Sequence, residues 1–361
     1  MKNTSKIIFI CVFLLSIFGL IMIYSSSSIW AEYKFNDSFH YLKYQLVFFI
    51  IGIIMMRIFS KIDYHLYYKY SNIILGVCLL LLILVLIPGI GSVRNGSRSW
   101  FGIGSFGIQP SEAAKIGLII FTSKYMSLSE EYVKNYIKGI FPILMIVILC
   151  FGLIMLQPDL GTGLILFLST ISILFIAGVD LKFFFGGGIL GLIGIIVLII
   201  IAPYRMNRIT SFIDPWQDEL GTGFQIIQSL YAIGPGGLLG MGYLNSIQKH
   251  FYLPEPQTDF IFSVITEEFG VVGALIVVGL FLLLFYCGIK VACNCKELFG
   301  KYLAFGIIFQ LIFQATLNLC VVVGLIPVTG VTLPFLSYGG SSLLISMISI
   351  GIVLNISKSN S

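Results

Sequence analysis

Residues 260–289 read FIFSVITEEFGVVGALIVVGLFLLLFYCGI, and the only charges in the stretch are Glu267 and Glu268. Crossing a hydrocarbon core of about 30 Å takes roughly 20 apolar residues of helix, so this run can span a bilayer with some tilt. Working outward, nine further apolar runs follow the same pattern: Ile7–Tyr24, Tyr44–Ile58, Asn72–Ile87, Ser111–Tyr125, Ile140–Leu156, Leu160–Gly178, Phe183–Ala202, Tyr302–Leu325 and Ser337–Leu354. They are continuous rather than alternating, which excludes a transmembrane β-barrel. The expected fold is an all-α polytopic membrane protein, a single domain over residues 1–361 with ten transmembrane helices.

Composition agrees. Of 361 residues 58% are hydrophobic and 10% charged, whereas a soluble domain carries about a quarter charged residues. Mean hydropathy is +1.02, so soluble enzymes and disordered scaffolds drop out. The segment ahead of Tyr24 lacks a small-x-small cleavage site and further spans follow it, so it reads as a retained first helix rather than a signal peptide. The net charge of +5 is expected to orient helices rather than to bind nucleic acid. With both termini cytoplasmic, thirteen Lys and Arg, Lys134 among them, fall inside. Seven fall outside: Lys34, Lys43, Arg94, Arg98, Arg205, Arg208 and Lys249. That bias favours this orientation. The seven cysteines and three histidines show no paired metal spacing, giving neither a disulfide framework nor a zinc site. No P-loop or dinucleotide fingerprint is present.

Between the seventh and eighth runs lies the one long connection, residues 203–259, 57 residues on the external side. Loops of that length tend to be functional. Within it Gly223–Ile233 places Ile226, Ile227, Leu230 and Tyr231 on one helical face, as expected of a segment lying in the membrane interface. Polar residues are costly in a bilayer, so their positions are informative. Five clusters gather at external helix ends: Asn95–Trp100, Gln157–Thr162, Arg205–Asp218, Pro254–Asp259 and Pro327–Gly340. A bundle would bring them to one outward cavity holding arginines and carboxylates, suited to an anionic lipid-linked substrate.

Individual residues carry two readings each. Asp259, directly before the apolar run, is either a helix cap or a partly desolvated proton acceptor; position alone favours the cap. Glu112 and Lys115 are spaced to pair on one face, as a neutralised ion pair or as substrate contacts. Asp159 either caps the sixth helix or faces the cavity. Glu267 and Glu268 point about 100° apart on a helix and read as structural contacts inside the bundle. Arg98, Arg205 and Arg208 either anchor to lipid headgroups or grip a diphosphate with their planar forks.

Six motifs in order, Asn95-Gly96-Ser97-Arg98-Ser99-Trp100, Gln109-Pro110-Ser111-Glu112-x-x-Lys115, Gln157-Pro158-Asp159-Leu160-Gly161-Thr162, Tyr252-Leu253-Pro254-Glu255, Thr258-Asp259-Phe260-Ile261-Phe262 and Pro334–Ser342, resemble the SEDS family (shape, elongation, division and sporulation) over nearly the whole chain. The stretches Gly223–Gly237 and Gln248–Pro254 are more similar to its FtsW/SpoVE branch than to RodA. The resemblance implies a peptidoglycan glycosyltransferase that polymerises lipid II at the outer face of the bacterial cytoplasmic membrane. Its implied partners are a class B penicillin-binding protein and other division membrane proteins. It puts the essential aspartate on Asp259, overturning the cap. The implied substrate-contacting set is Arg98, Trp100, Glu112, Lys115, Asp159, Arg205, Arg208, Lys249 and Ser337, with a divalent cation such as Mg2+ as an alternative source of positive charge. Two departures stand out: Gln257 occupies a position often held by histidine, and Ser99 replaces a second arginine. The competing readings are a lipid II flippase and a non-enzymatic division scaffold. Polar clusters at external ends, rather than paired repeats at the midplane, favour chemistry over transport.

Overall fold

A computed structural model describes residues 2–94, 96–102, 107–128, 136–201 and 203–359. Asn95, Lys134 and Ala202, each used in reading the sequence, lie outside the described residues. Twelve α-helices are seen among those described: α1 (Lys2–Phe35), α2 (His40–Phe59), α3 (His65–Leu84), α4 (Pro110–Ser127), α5 (Phe141–Met155), α6 (Leu160–Ile176), α7 (Leu181–Ile201), α8 (Pro203–Ile213), α9 (Phe224–Ile233), α10 (Ile261–Asn294), α11 (Leu298–Val322) and α12 (Gly340–Ser359). Each of the ten apolar runs falls on a helix, and α8 and α9 are the extra pair, both within the long loop. Among the described residues eight helices are long and apolar enough to cross a membrane. Of the other two, α6 has 17 residues, and α4 carries Glu112, Lys115 and Lys124. The chain is a multi-pass α-helical membrane protein.

Packing follows sequence neighbours and several long-range partnerships. α2 lies along α12, α1 along α10, and α11 packs on α10, α4 and α6. Outward faces stay apolar, as at Ile50 and Ile54 on α2 and Ile73, Val77 and Leu80 on α3. That is the lipid-facing pattern, because lipid rather than protein covers these side chains.

Four features depart from the sequence-based outline. First, α1 runs 34 residues, about 50 Å at 1.5 Å per residue, well past Tyr24. Its serines do not end it: Ser26 and Ser27 donate to the Ile23 carbonyl at 3.3 and 2.6 Å, satisfying their hydroxyls within the helix. Second, a small antiparallel hairpin of β1 (Ser92–Arg94) and β2 (Ser97–Trp100) forms ahead of α4, pairing Val93 with Arg98. The Asn95-Gly96 dipeptide is a strong hairpin signal, and Gly96 has φ 79°. Third, α9 buries Ile226, Ile227, Ser229 and Ala232, leaving Leu230 and Tyr231 exposed. The expected four-residue face is split because α9 packs sideways on α10 and α11.

The largest departure is inside α10, which is broken at Gly270 (φ 62°, ψ −161°). The loop after α9 lies across the break. Met241 N–H donates to the Glu267 carbonyl (2.9 Å) and Gly242 N–H to Glu268 (3.0 Å), while Val271 and Val272 N–H donate to Gly237 and Leu238 (3.0 and 3.1 Å). Loop backbone thus replaces the lost rungs of the helix, as buried N–H and C=O groups require. A Cβ at Gly270 would lie 2.5 Å from the Gly240 nitrogen and the Leu238 oxygen.

That backbone conformation is almost exclusive to glycine and costs other residues about 1–3 kcal/mol before any clash. Gly270→Ala is therefore expected to lower the thermal unfolding midpoint in detergent. Gly76→Ala on the open face of α3, where an added Cβ meets nothing within 4 Å, leaves the midpoint unchanged or slightly raised.

Candidate active site

The floor of the site is a buried polar chain. Glu112 and Lys115 lie one turn apart on α4, 5% and 1% exposed. The Lys115 ammonium donates to Glu112 Oε1 at 2.9 Å and to Gln314 Oε1 on α11 at 2.8 Å. Gln314 passes the chain on, donating to the Thr332 carbonyl at 3.0 Å. One turn further along α11, Asn318 Nδ2 donates to two backbone carbonyls, Asp259 at 2.7 Å and Val331 at 2.8 Å. Asn318 therefore ties together the two non-helical segments that face each other at this end of the bundle.

Asp259 sits on one of those segments. The N-cap of α10 is Phe260, and no side-chain bond caps that helix. Among the described residues no hydrogen bond reaches the Asp259 carboxylate; a Cβ added at Gly330 would lie 3.8 Å from its Oδ2. Protein crowds the carboxyl while leaving it partly open to solvent. Desolvation, reinforced by the charge of Glu255 and then Asp159 and opposed by Arg208, raises its pKa to about 7.

The wall is the N-terminus of α6. Asp159 accepts from Thr162 N–H at 3.0 Å, so it caps the helix, and its other oxygen accepts from Gln109 Nε2 at 3.1 Å. Of the two readings of Asp159 the cap is the one seen, and Glu112 and Lys115 also act on its charge. Burial raises its pKa, against the lowering by the Thr162 bonds. Gly161 allows the close approach: a Cβ there would lie 2.4 Å from Val331 Cγ2 and 2.9 Å from the Thr329 oxygen. The Thr329–Val331 backbone is in this way held between α6 and Asp259.

The roof is α8, an amphipathic helix. Arg205 is 9% exposed, with its guanidinium 3.8 Å from Met155 Sδ. Arg208, one turn on, is exposed and donates to the Val328 carbonyl at 2.9 Å.

The structure thus brings Asp259, Asp159, Glu112, Lys115, Arg205 and Arg208 around one end of the bundle. Other expected contacts lie differently. Lys249, 2% exposed, pairs with Glu268 at 3.0 Å and with Ser25 at 3.2 Å, at the break of α10. Glu267 accepts from Ser246 Oγ (2.5 Å) and Ile247 N–H (2.7 Å), so both glutamates hold the loop, as structural contacts. Ser337 Oγ accepts from Leu333 N–H at 2.8 Å and is used within its own turn. On the hairpin Trp100 carries the Arg94 guanidinium 4.8 Å above its ring, while Arg98 stands opposite Val93, partly exposed.

Gln314 and Asn318 were not singled out from sequence. With Gln310 they are three amides spaced by four in an apolar run, which puts them on one helix face, and all three are buried. As for a metal, among the described residues no three His, Cys, Asp or Glu side chains converge. No protein cage for Mg2+ is formed by them, although that ion is often held by one or two carboxylates plus substrate phosphates.

Fold and site together define a polytopic helical membrane protein with carboxylates and arginines gathered at one end of the bundle. The FTSW_RODA_SPOVE family model, described as "Cell cycle protein", matches residues 5–361, and the chain belongs to that family. Stage V sporulation protein E of Bacillus subtilis (strain 168) is 49% identical over 359 residues, covering 99% of this chain and 98% of that protein. A probable peptidoglycan glycosyltransferase FtsW of Geobacter sp. (strain M18) is 42% identical over 99% of this chain and 97% of its own. A solved structure reported as "Structural coordination of polymerization and crosslinking by a peptidoglycan synthase complex" superposes with TM-score 0.79 at 31% identity, covering 97% of both chains. The rod shape determining protein RodA of Thermus thermophilus gives TM-score 0.72 at 26% identity, covering 98% of this chain and 96% of that one.

A buried charge stripped of its partner costs about 3–5 kcal/mol. Lys115→Met is expected to destabilise the detergent-solubilised protein strongly. Adding Glu112→Gln recovers most of the loss, as read from thermal midpoints in a double-mutant cycle.

Proposed function

We propose that this chain polymerises lipid II into β-1,4 glycan strands at the outer face of the bacterial cytoplasmic membrane, with Asp259 as the general base. The observation that carries the reading is the Asp259 carboxyl: uncapped, crowded by protein, raised to about 7 and flanked by Arg208. A base with a pKa near the working pH combines a usable ionised fraction with real proton affinity.

Lipid II carries an α-linked sugar on a diphosphate, and the polymer is β-linked, so a single inverting displacement suffices. The acceptor 4-hydroxyl gives its proton to Asp259 as its oxygen forms the new bond to the donor C1. The C1–O bond to the diphosphate breaks, and the lipid diphosphate leaves with the electron pair. Arg208 and Arg205 on α8, with Arg98 and Trp100 on the hairpin, are the groups assigned to meet that anion. Glu112, Lys115 and Asp159 supply the polar floor and wall. Lys249 and Ser337, engaged elsewhere, serve the fold. A divalent cation, where bound with substrate, would add charge stabilisation at the diphosphate.

The same reading takes all ten apolar runs as spans within one membrane domain, with both termini cytoplasmic and residues 203–259 external. The work is septal, in division or spore formation, beside a class B penicillin-binding protein and other division membrane proteins. The similarity to a peptidoglycan synthase complex and to a stage V sporulation protein supports these assignments.

The test is glycan-chain synthesis from lipid II in proteoliposomes, with and without the penicillin-binding partner. Asp259→Asn is expected to cost roughly 10²–10⁴ in rate. Because the base works only when ionised, wild-type rate falls as pH drops below about 7. Full activity in Asp259→Asn would refute the base. Lipid II crossing the bilayer with no polymer under any condition would return the chain to a flippase.

A further inference from the structure

About 25 Å along α1 from Ser25, at 1.5 Å per residue, a second cavity of about 340 Å³ opens at the other end of the bundle. It lies where the start of α1 meets the ends of α2 and α12. Three cations line it, one from each helix: Lys6, Arg57 and Lys358. No carboxylate is among the described lining residues. Its walls are apolar, chiefly Phe9, Ile10 and Met56.

The frame around it is fixed. An added Cβ at Gly351 would lie 2.7 Å from the Met56 carbonyl oxygen, so α2 and α12 touch backbone to side here. Asn355 Nδ2 donates to the Ser60 carbonyl at 3.3 Å and its Oδ1 accepts from Tyr64 N–H at 3.0 Å. Lys358 Nζ lies 3.3 Å from both the carbonyl and hydroxyl oxygens of Ser60, which sets the ammonium at the rim. Above the cavity an aromatic track leads toward the middle of the bundle. Phe9 stacks on Phe13 at 6.0 Å between centroids, and Phe13 meets Phe49 of α2 at 6.2 Å. Ile10 and Phe13 are exposed beside it, 52% and 37%.

We propose that this cavity is a binding site for an anionic phospholipid. Its phosphate is held by Lys6, Arg57 and Lys358, and one acyl chain lies along Phe9, Ile10 and Phe13. Charge alone would serve any anion, but an apolar wall running on from the cations suits only an anion carrying a chain. Juxtamembrane basic residues attract anionic lipid individually; three from separate helices around one rigid concavity make the attraction site-specific. The inference stands apart from the reaction assigned to Asp259, which none of these residues touches.

Retention of lipid by the detergent-solubilised full chain, measured by native mass spectrometry, tests it. Phosphatidylglycerol, phosphatidylcholine and inorganic phosphate are the probes. The wild type is expected to retain one phosphatidylglycerol in preference to phosphatidylcholine, and inorganic phosphate does not displace it. Lys6→Gln/Arg57→Gln, both at exposed positions, weakens that retention about thirtyfold. Lys69→Gln/Lys182→Gln, an equal loss of charge elsewhere, keeps it. Thermal midpoints without added lipid report that each variant is folded, and the single Arg57→Gln replaces the double if it is not. Equal retention by the cavity variant, equal retention of phosphatidylcholine, an equal loss in the control, or displacement by phosphate alone would each overturn the proposal.

Discussion

Lys115 brings an ammonium group to a place that is 1% exposed between helices, and one end of the bundle is arranged around satisfying it. A buried ammonium is tolerated only when paired and hydrogen-bonded. Glu112 supplies the countercharge from its own helix, and Gln314 supplies a neutral acceptor from α11. Gln314 then has an amide nitrogen to satisfy, and it does so on the Thr332 carbonyl. The same helix face offers Asn318 to Asp259 and Val331. The segments bearing Asp259 and Gly330 are thus set by a polar chain that begins with one lysine.

A second constraint holds the opposite side of that end. α10 stops being a helix at Gly270, and backbone of the loop after α9 fills the gap. Glu267, Glu268 and Lys249 fasten the loop there, with Ser25 bringing in α1. The long loop is therefore anchored at its middle by the break, and near its end by Tyr338 N–H donating to the Gln257 carbonyl at 2.8 Å. Between these anchors and the Asn318 bond, little freedom is left to the residues just ahead of Asp259. A base that must meet an acceptor hydroxyl within hydrogen-bond reach gains from such restraint.

Much of this was legible from residue order. The apolar runs located ten helices, and the i, i+3 spacing of Glu112 and Lys115 gave the ion pair. Asp159, after Pro158, reads either as a cap or as a cavity residue, and it caps. Asp259 was harder: position pointed to a cap, family resemblance pointed to chemistry, and the structure finds the helix uncapped. What stayed hidden depends on long-range partners. Lys249 is expected among the substrate contacts, yet its charge is met by Glu268 beside the helix break at Gly270. α1 continues through Ser25–Ser28, where Ser26, Ser27 and Ser28 bond back to carbonyls of their own helix and Ser25 donates to Glu268. The split face of α9 follows from its lying between α10 and α11, which no local period encodes.

The environment of Asp259 sets the protonation on which its proposed role as base depends. The most direct measurement is the pH dependence of lipid II polymerisation for wild type and Glu255→Gln. Glu255 is the largest charge effect raising the Asp259 pKa after desolvation. Removing its charge lowers that pKa, so more of the base is ionised at a given acidity. The acid limb, near pH 7 in the wild type, is expected to move to lower pH in Glu255→Gln while the plateau rate is kept. An acid limb unmoved by the substitution, or one that moves to higher pH, would contradict it.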